Sequence, residues 1–121
     1  MKIGVFDSGY GGLSVLKHFL QELPEYDYVY LGDNARAPYG PRGRAEVTEF
    51  TRQAIDFFAW ADCSLVIVAC NTANALAVRW IQQQYLPAQY PAMKVLGVLI
   101  PAAEAAAEAS RSGRIGVMAT I

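Results

Sequence analysis

Cys70 stands where an unbroken apolar run, Leu65-Val66-Ile67-Val68-Ala69, gives way to Asn71-Thr72-Ala73-Asn74. A run of that kind predicts a strand buried on both faces. Ala73, Leu76, Ala77, Trp80 and Tyr85 then mark a helix. The thiol is therefore expected at the carboxyl end of a strand and just before a helix N-terminus. Backbone N–H groups and the helix dipole favour an anion at such a place, which suits a thiol used as a base or nucleophile. Asn71 and Thr72 can cap that helix or turn to a ligand. A buried structural cysteine followed by two capping residues fits the same segment equally well.

A second set of reactive types lies in Asp7-Ser8-Gly9-Tyr10-Gly11-Gly12, after the short apolar run Ile3 to Phe6. The glycines do not form a dinucleotide fingerprint, because the third glycine position is Ser14, and Gly-Lys-Ser/Thr of a phosphate-binding loop is missing. What remains is a carboxylate, a hydroxyl and backbone N–H groups on a tight turn. That set suits a small zwitterion, with Asp7 meeting an ammonium or steering a proton and Ser8 holding a carboxylate. A plain helix cap is the competing reading. Asp33 and Arg36 are expected to be a solvated ion pair that shapes the loop Gly32 to Pro41. His18 reads as a surface residue, Trp60 and Trp80 as packing residues, and Cys63 as structural.

The elements that must position these groups are set by periodicity. Strands are predicted at Ile3 to Phe6, Tyr28 to Leu31, Leu65 to Ala69, Lys94 to Leu99 and Arg114 to Met118. Leu13, Leu16, Leu20 and Leu23 give the first helix its apolar face, ended by Pro24. Val47, Phe50, Ala54, Phe57 and Ala61 give the second its face. Pro87 to Pro91 is a connection, and Pro101 opens an alanine-rich helix that Gly113 closes. Alternating strands and helices imply an α/β fold with a parallel sheet, whose ligands lie beyond the carboxyl ends of the strands. The loops at 7–12, 32–40 and 70–74 all fall at that edge.

Composition bounds the remaining choices. The chain has 121 residues, 54% of them hydrophobic, and a formal net charge of −1. One modest domain is expected. The charge gives no general electrostatic case for nucleic acid or an anionic membrane. No apolar run approaches the roughly 18 residues of a membrane span. Two cysteines make neither a disulfide framework nor a four-ligand zinc site. With no signal-peptide layout, these features lead to the expectation of a soluble cytoplasmic protein.

Lys2-Ile3-Gly4-Val5-Phe6-Asp7-Ser8 is echoed by Arg114-Ile115-Gly116-Val117-Met118-Ala119-Thr120. Read as a repeat, the echo places the start of a second, similar unit near Arg114.

Three segments together resemble the glutamate racemases. Phe6 to Leu16 is similar to their opening motif, Gly32-Asp33-Asn34-Ala35-Arg36-Ala37-Pro38-Tyr39-Gly40 to their second signature, and Ala69-Cys70-Asn71-Thr72-Ala73 to the segment of their first catalytic cysteine. The order and spacings match as well. The resemblance covers the whole chain but only about the first half of a family member.

It implies a three-layer, flavodoxin-like sheet as one of two pseudo-symmetric domains, with the second missing beyond its first strand. Residues 1–100 would be the first domain and 101–121 a crossover helix and that strand. It further implies cofactor-independent interconversion of L- and D-glutamate, with no metal, supplying D-glutamate for peptidoglycan. Cys70 would be one of two cysteines working from opposite faces of the α-carbon. Asp7 and Ser8 would contact the substrate, Asp7 close enough to tune the thiol. Tyr39, Gly40, Asn71 and Thr72 would hold its carboxylates and ammonium. The partner is then a small amino acid, with a homodimer left open. The second cysteine of the family has no counterpart, so the chain is expected to be an inactive fragment. Aspartate or other amino-acid racemases of the superfamily, and a non-catalytic half-site binding protein, are the alternatives.

Overall fold

The structure, a computed structural model, describes residues 1–120. Four strands form one parallel sheet: β1 (Lys2–Asp7), β2 (Asp27–Gly32), β3 (Leu65–Val68) and β4 (Lys94–Gly97), in the spatial order β2-β1-β3-β4. The helices are α1 (Gly12–Glu22), α2 (Arg44–Trp60), α3 (Asn71–Ala73), α4 (Leu86–Gln89) and α5 (Leu99–Ala109). Between α3 and α4 the helix continues through two π segments, Asn74–Val78 and Ile81–Tyr85. Pro87, expected to lie in a connection, is inside α4. It lacks the N–H that would bond back to residue 83, and the wider π turn just before it accommodates that loss.

The sheet is covered on both faces. Phe6, Val66 and Val68 pack with Val47, Ile55 and Phe58 of α2 and with Ile81 and Leu86. Ile3, Val5 and Ile67 point to the other face and meet Val15, Leu16 and Phe19 of α1. Phe58 lies so close to Gly4 that a Cβ there would overlap its ring. Burial of such a side chain contributes roughly 1.5–3 kcal/mol. From β1 the chain runs outward to β2, then crosses back to β3 on the far side of β1. The reversal leaves a crevice at the carboxyl ends of β1 and β3, the usual ligand position in open parallel sheets.

Several sequence expectations are corrected. The buried face of α1 is Val15, Leu16 and Phe19, while Leu13 and Leu20 are exposed. The turn sets this rotation: a Cβ at Gly12 would come 2.7 Å from the Asp7 Cβ, so the Gly12 side of the helix must face the sheet. Trp60 is 80% exposed and Trp80, stacked on Tyr85, is 41% exposed, so neither is a core residue. The helix α5 starts at Leu99 and ends at Ala109, so Pro101 is its third residue and Gly113 lies beyond its end. None of its residues is buried. At the sheet edge, Leu96 of β4 is also exposed.

The strand expected at Arg114 to Met118 does not form; residues 114–120 carry no regular structure. A strand exists only as half of a ladder, and no described segment offers the other half there. This stretch instead crosses the carboxyl edge of the sheet, where Val117 to Thr120 help wall a cleft. No helix among the described residues is long and apolar enough to cross a membrane.

Candidate active site

Parallel pairing sets Phe6 beside Val68, so β1 and β3 release Ser8 and Cys70 at the same edge. The Cys70 thiol donates to Ser8 Oγ at 3.5 Å, although 62 positions separate them. Cys70 is extended (φ −75°, ψ 116°) and caps the following helix, its Sγ accepting the Ala73 N–H at 3.4 Å. Both expected features of the thiol are therefore present: the strand end and the helix N-terminus. The side chain is buried, at 5% exposure.

Asp7 is the last residue of β1 and is buried. Its Oδ2 accepts the N–H groups of Gly12 at 2.9 Å and Gly9 at 3.3 Å. Asp7 is not the N-cap of α1, which is Gly11, but its carboxylate takes the N–H of the helix's first residue and so pins the glycine turn that carries Ser8. Tyr30 on β2 completes the clamp by donating its hydroxyl to the Gly9 carbonyl at 2.8 Å. Burial, then the Asp7 charge, pushes the Tyr30 phenol above its ordinary range, so it stays a donor. Nothing in the sequence flagged Tyr30, since it reads as one more apolar strand residue.

The second loop is tied to the first by the Asp33 N–H, which donates to the Asp7 carbonyl at 3.0 Å. Asp33 and Arg36 pair at 2.7 Å, as expected, but the pair serves a third residue. Tyr39 is 1% exposed and donates its hydroxyl to Asp33 Oδ2 at 2.5 Å. Its ring packs at a tilt between Phe6 and Phe50, and the Arg36 guanidinium lies 3.9 Å from the Phe50 centroid. Burial first, and the bond to Asp33 second, raise the Tyr39 phenol far above its usual value. The Tyr39 hydroxyl is thus committed to Asp33. The backbone of Tyr39 and Gly40 is left as what that loop can offer a ligand. The Ala37–Pro38 peptide in it is cis.

One cleft of about 530 Å³ gathers Asp7, Ser8, Tyr39, Gly40, Cys70, Asn71, Thr72 and Thr120. Asn71 is exposed and Thr72 half-buried at its floor. An adjoining cleft of about 700 Å³ is shared by Gly40, Asn71, Thr72, Arg42 and Arg44. All seven residues singled out from the sequence converge. Cys63, by contrast, is buried before β3, where desolvation raises its thiol, and His18 is exposed.

An open parallel α/β sheet with a thiol at a strand end, a hydroxyl beside it and a helix N-terminus donating to its sulfur has the chemistry of a domain for proton transfer at sulfur on a small polar molecule. The comparisons with known proteins narrow this class. No family model matches the chain. Over nearly its whole length, the chain is similar in sequence to proteins named glutamate racemase. It is 42% identical to glutamate racemase of Streptococcus pneumoniae over 118 residues, which are 98% of this chain and 42% of the relative. Glutamate racemase from Aquifex pyrophilus superimposes with a TM-score of 0.82 at 39% identity, over 92% of this chain and 42% of that one. The enzyme from Francisella tularensis, solved with D-glutamate, gives 0.77 at 36% identity over 88% and 39%. The chain thus spans about two-fifths of the length of the curated relatives it matches.

Proposed function

We propose that this chain is the half of a cofactor-independent glutamate racemase that carries one of its two catalytic thiols, Cys70. The observation that carries the reading is the meeting of Cys70, Ser8 and the Ala73 N–H in a cleft lined by Asp7, Gly40, Asn71 and Thr72. As thiolate, Cys70 takes the α-proton: the C–H bond breaks, an S–H bond forms, and the electron pair remains on the α-carbon and its carboxylate. A second thiol, from outside these residues, returns a proton to the opposite face. An amino acid's α-proton is a very weak acid, so fixed donors must stabilise the charge that develops. In this reading Ser8, Asn71, Thr72 and the Gly40 N–H supply them, and Asp7 holds the turn that carries Ser8.

Glutamate is chosen over aspartate on the strength of the relatives, one of them solved with D-glutamate. In this reading residues 1–100 are the first racemase domain, and residues 101–121 lead into the second. The whole enzyme acts in the cytoplasm and supplies D-glutamate to peptidoglycan. The test is alkylation with iodoacetamide at neutral pH, read by mass spectrometry at each cysteine. Cys70 is expected to react much faster than Cys63; equal rates would overturn the reading.

A further inference from the structure

The residue that holds the reacting thiol in place is four positions beyond it. The Asn74 side-chain nitrogen donates to the Cys70 carbonyl at 2.8 Å and to the Val68 carbonyl at 2.9 Å. Two carbonyl acceptors at one terminus identify that terminus as the nitrogen. The Cys70 carbonyl also accepts the Asn74 backbone N–H at 3.0 Å, so Asn74 grips it twice. The other terminus, Oδ1, accepts the Leu99 N–H at 3.5 Å, at the start of α5. A Cβ at Gly97 would fall on that oxygen, so the end of β4 is shaped around the amide. The helix also widens into its first π segment at Asn74.

We infer that Asn74 is a positioning residue for Cys70, its amide clamping the strand-to-helix turn at Val68 and Cys70 and linking it to the end of β4. The inference rests on Cys70 being the reacting thiol. Two backbone bonds also hold the turn, the Ala69 N–H donating to the Phe6 carbonyl at 2.7 Å and the Val98 N–H to the Val68 carbonyl at 3.2 Å, but neither reaches Cys70 itself. Without the amide, Cys70 is free to leave its extended conformation, and its sulfur then loses both the Ala73 N–H and Ser8. Asparagine suits the place because one planar group supplies two donors and an acceptor.

A pair of variants separates this from bulk packing. A threonine hydroxyl can donate to the carbonyl four residues back in a helix, whereas valine has the same shape and no donor. The measurement is the ratio of the Cys70 to the Cys63 alkylation rate at neutral pH in the native chain, Asn74→Thr and Asn74→Val. The native ratio is expected well above one. Asn74→Val is expected to lower it about tenfold and Asn74→Thr by much less, the difference reporting one hydrogen bond. Asn74→Ser and Asn74→Ala repeat the comparison where β-branching upsets the π turn. Equal ratios within each pair, beside a high native ratio, overturn the positioning role and leave the reading of Cys70 standing. A native ratio near one overturns the reading of Cys70, and the positioning role falls with it.

Discussion

The Cys70 sulfur and the Ser8 hydroxyl, 3.5 Å apart, come from the two strands between which the chain reverses direction. Each is the first or second residue past its strand, so the contact depends on the β1–β3 register and on the two turns that follow it. A slip of the register would part them.

The stereochemistry of that contact sets the first expectation. Racemisation needs a proton removed from one face and another delivered to the opposite face, and Cys70 serves one. The 121-residue chain alone is expected to convert no appreciable L- to D-glutamate, while slowly exchanging the α-proton of one enantiomer with deuterium. In the whole enzyme, Cys70→Ser is expected to abolish turnover, because an alkoxide is scarcely populated at neutral pH. Racemisation by the isolated chain that survives Cys70→Ser, followed by polarimetry, would sink the two-thiol assignment.

Tyr39 carries a pH signature. Burial, and then the bond to Asp33, raise its phenol, so the folded chain keeps a proton that the unfolded chain has lost. That contribution is complete below the ordinary tyrosine value of about 10 and is lost as the pH rises above it. Urea midpoints are expected to fall above that pH, and more gently in Tyr39→Phe. At neutral pH the variant should be less stable by about 1–3 kcal/mol, since Asp33 is left short of a donor. Parallel pH profiles for the two proteins would contradict this account.

Gly12→Ala addresses the turn. Its Cβ would meet the Asp7 Cβ at 2.7 Å, the Tyr30 hydroxyl at 3.1 Å and the Ala69 Cβ at 3.2 Å, all on packed elements. A loss of about 1–3 kcal/mol is expected from this overpacking. Cys70 alkylation should change with it, because the turn carries Ser8. An unchanged thermal midpoint would mean that the turn yields freely.

Asp62 offers a gain in stability. It has φ +62°, just past the C-terminal end of α2. The Cys63 N–H bonds to the Phe58 carbonyl at 2.9 Å and the Asp62 N–H to the Ala59 carbonyl at 3.1 Å, the paired closure usual with glycine. Asp62→Gly is expected to stabilise the chain by about 0.5–1 kcal/mol. A lower melting temperature would show that the aspartate has another use.

The four strands were legible because each is a short apolar run bounded by turn residues, and parallel pairing then forced their polar ends to one edge. Side-chain direction was not legible in the same way. Tyr39 looked like a ligand contact, but only the fold reveals that its ring is walled in by Phe6 and Phe50 and its hydroxyl taken by Asp33. The leucine spacing of α1 was truly helical but marked the inner face only in part, with Leu16 against the sheet and Leu13 and Leu20 turned out, because Gly12 and Asp7 decide the rotation. Asn74 was in plain view four residues past Cys70, yet its role depends on Gly97 at the end of β4 and Leu99 at the start of α5, more than twenty residues on.

The outer edge of β4 has practical consequences at the bench. Leu96 stands exposed on it beside Leu99 and Ile100, and among its outward carbonyls the Gln82 side chain reaches that of Val95. Unpaired edges with apolar side chains are adhesive between molecules. Concentrated stocks of this chain should therefore scatter light and lose material on storage. Leu96→Lys, a charge placed on the edge itself, should raise the usable concentration without touching the cleft.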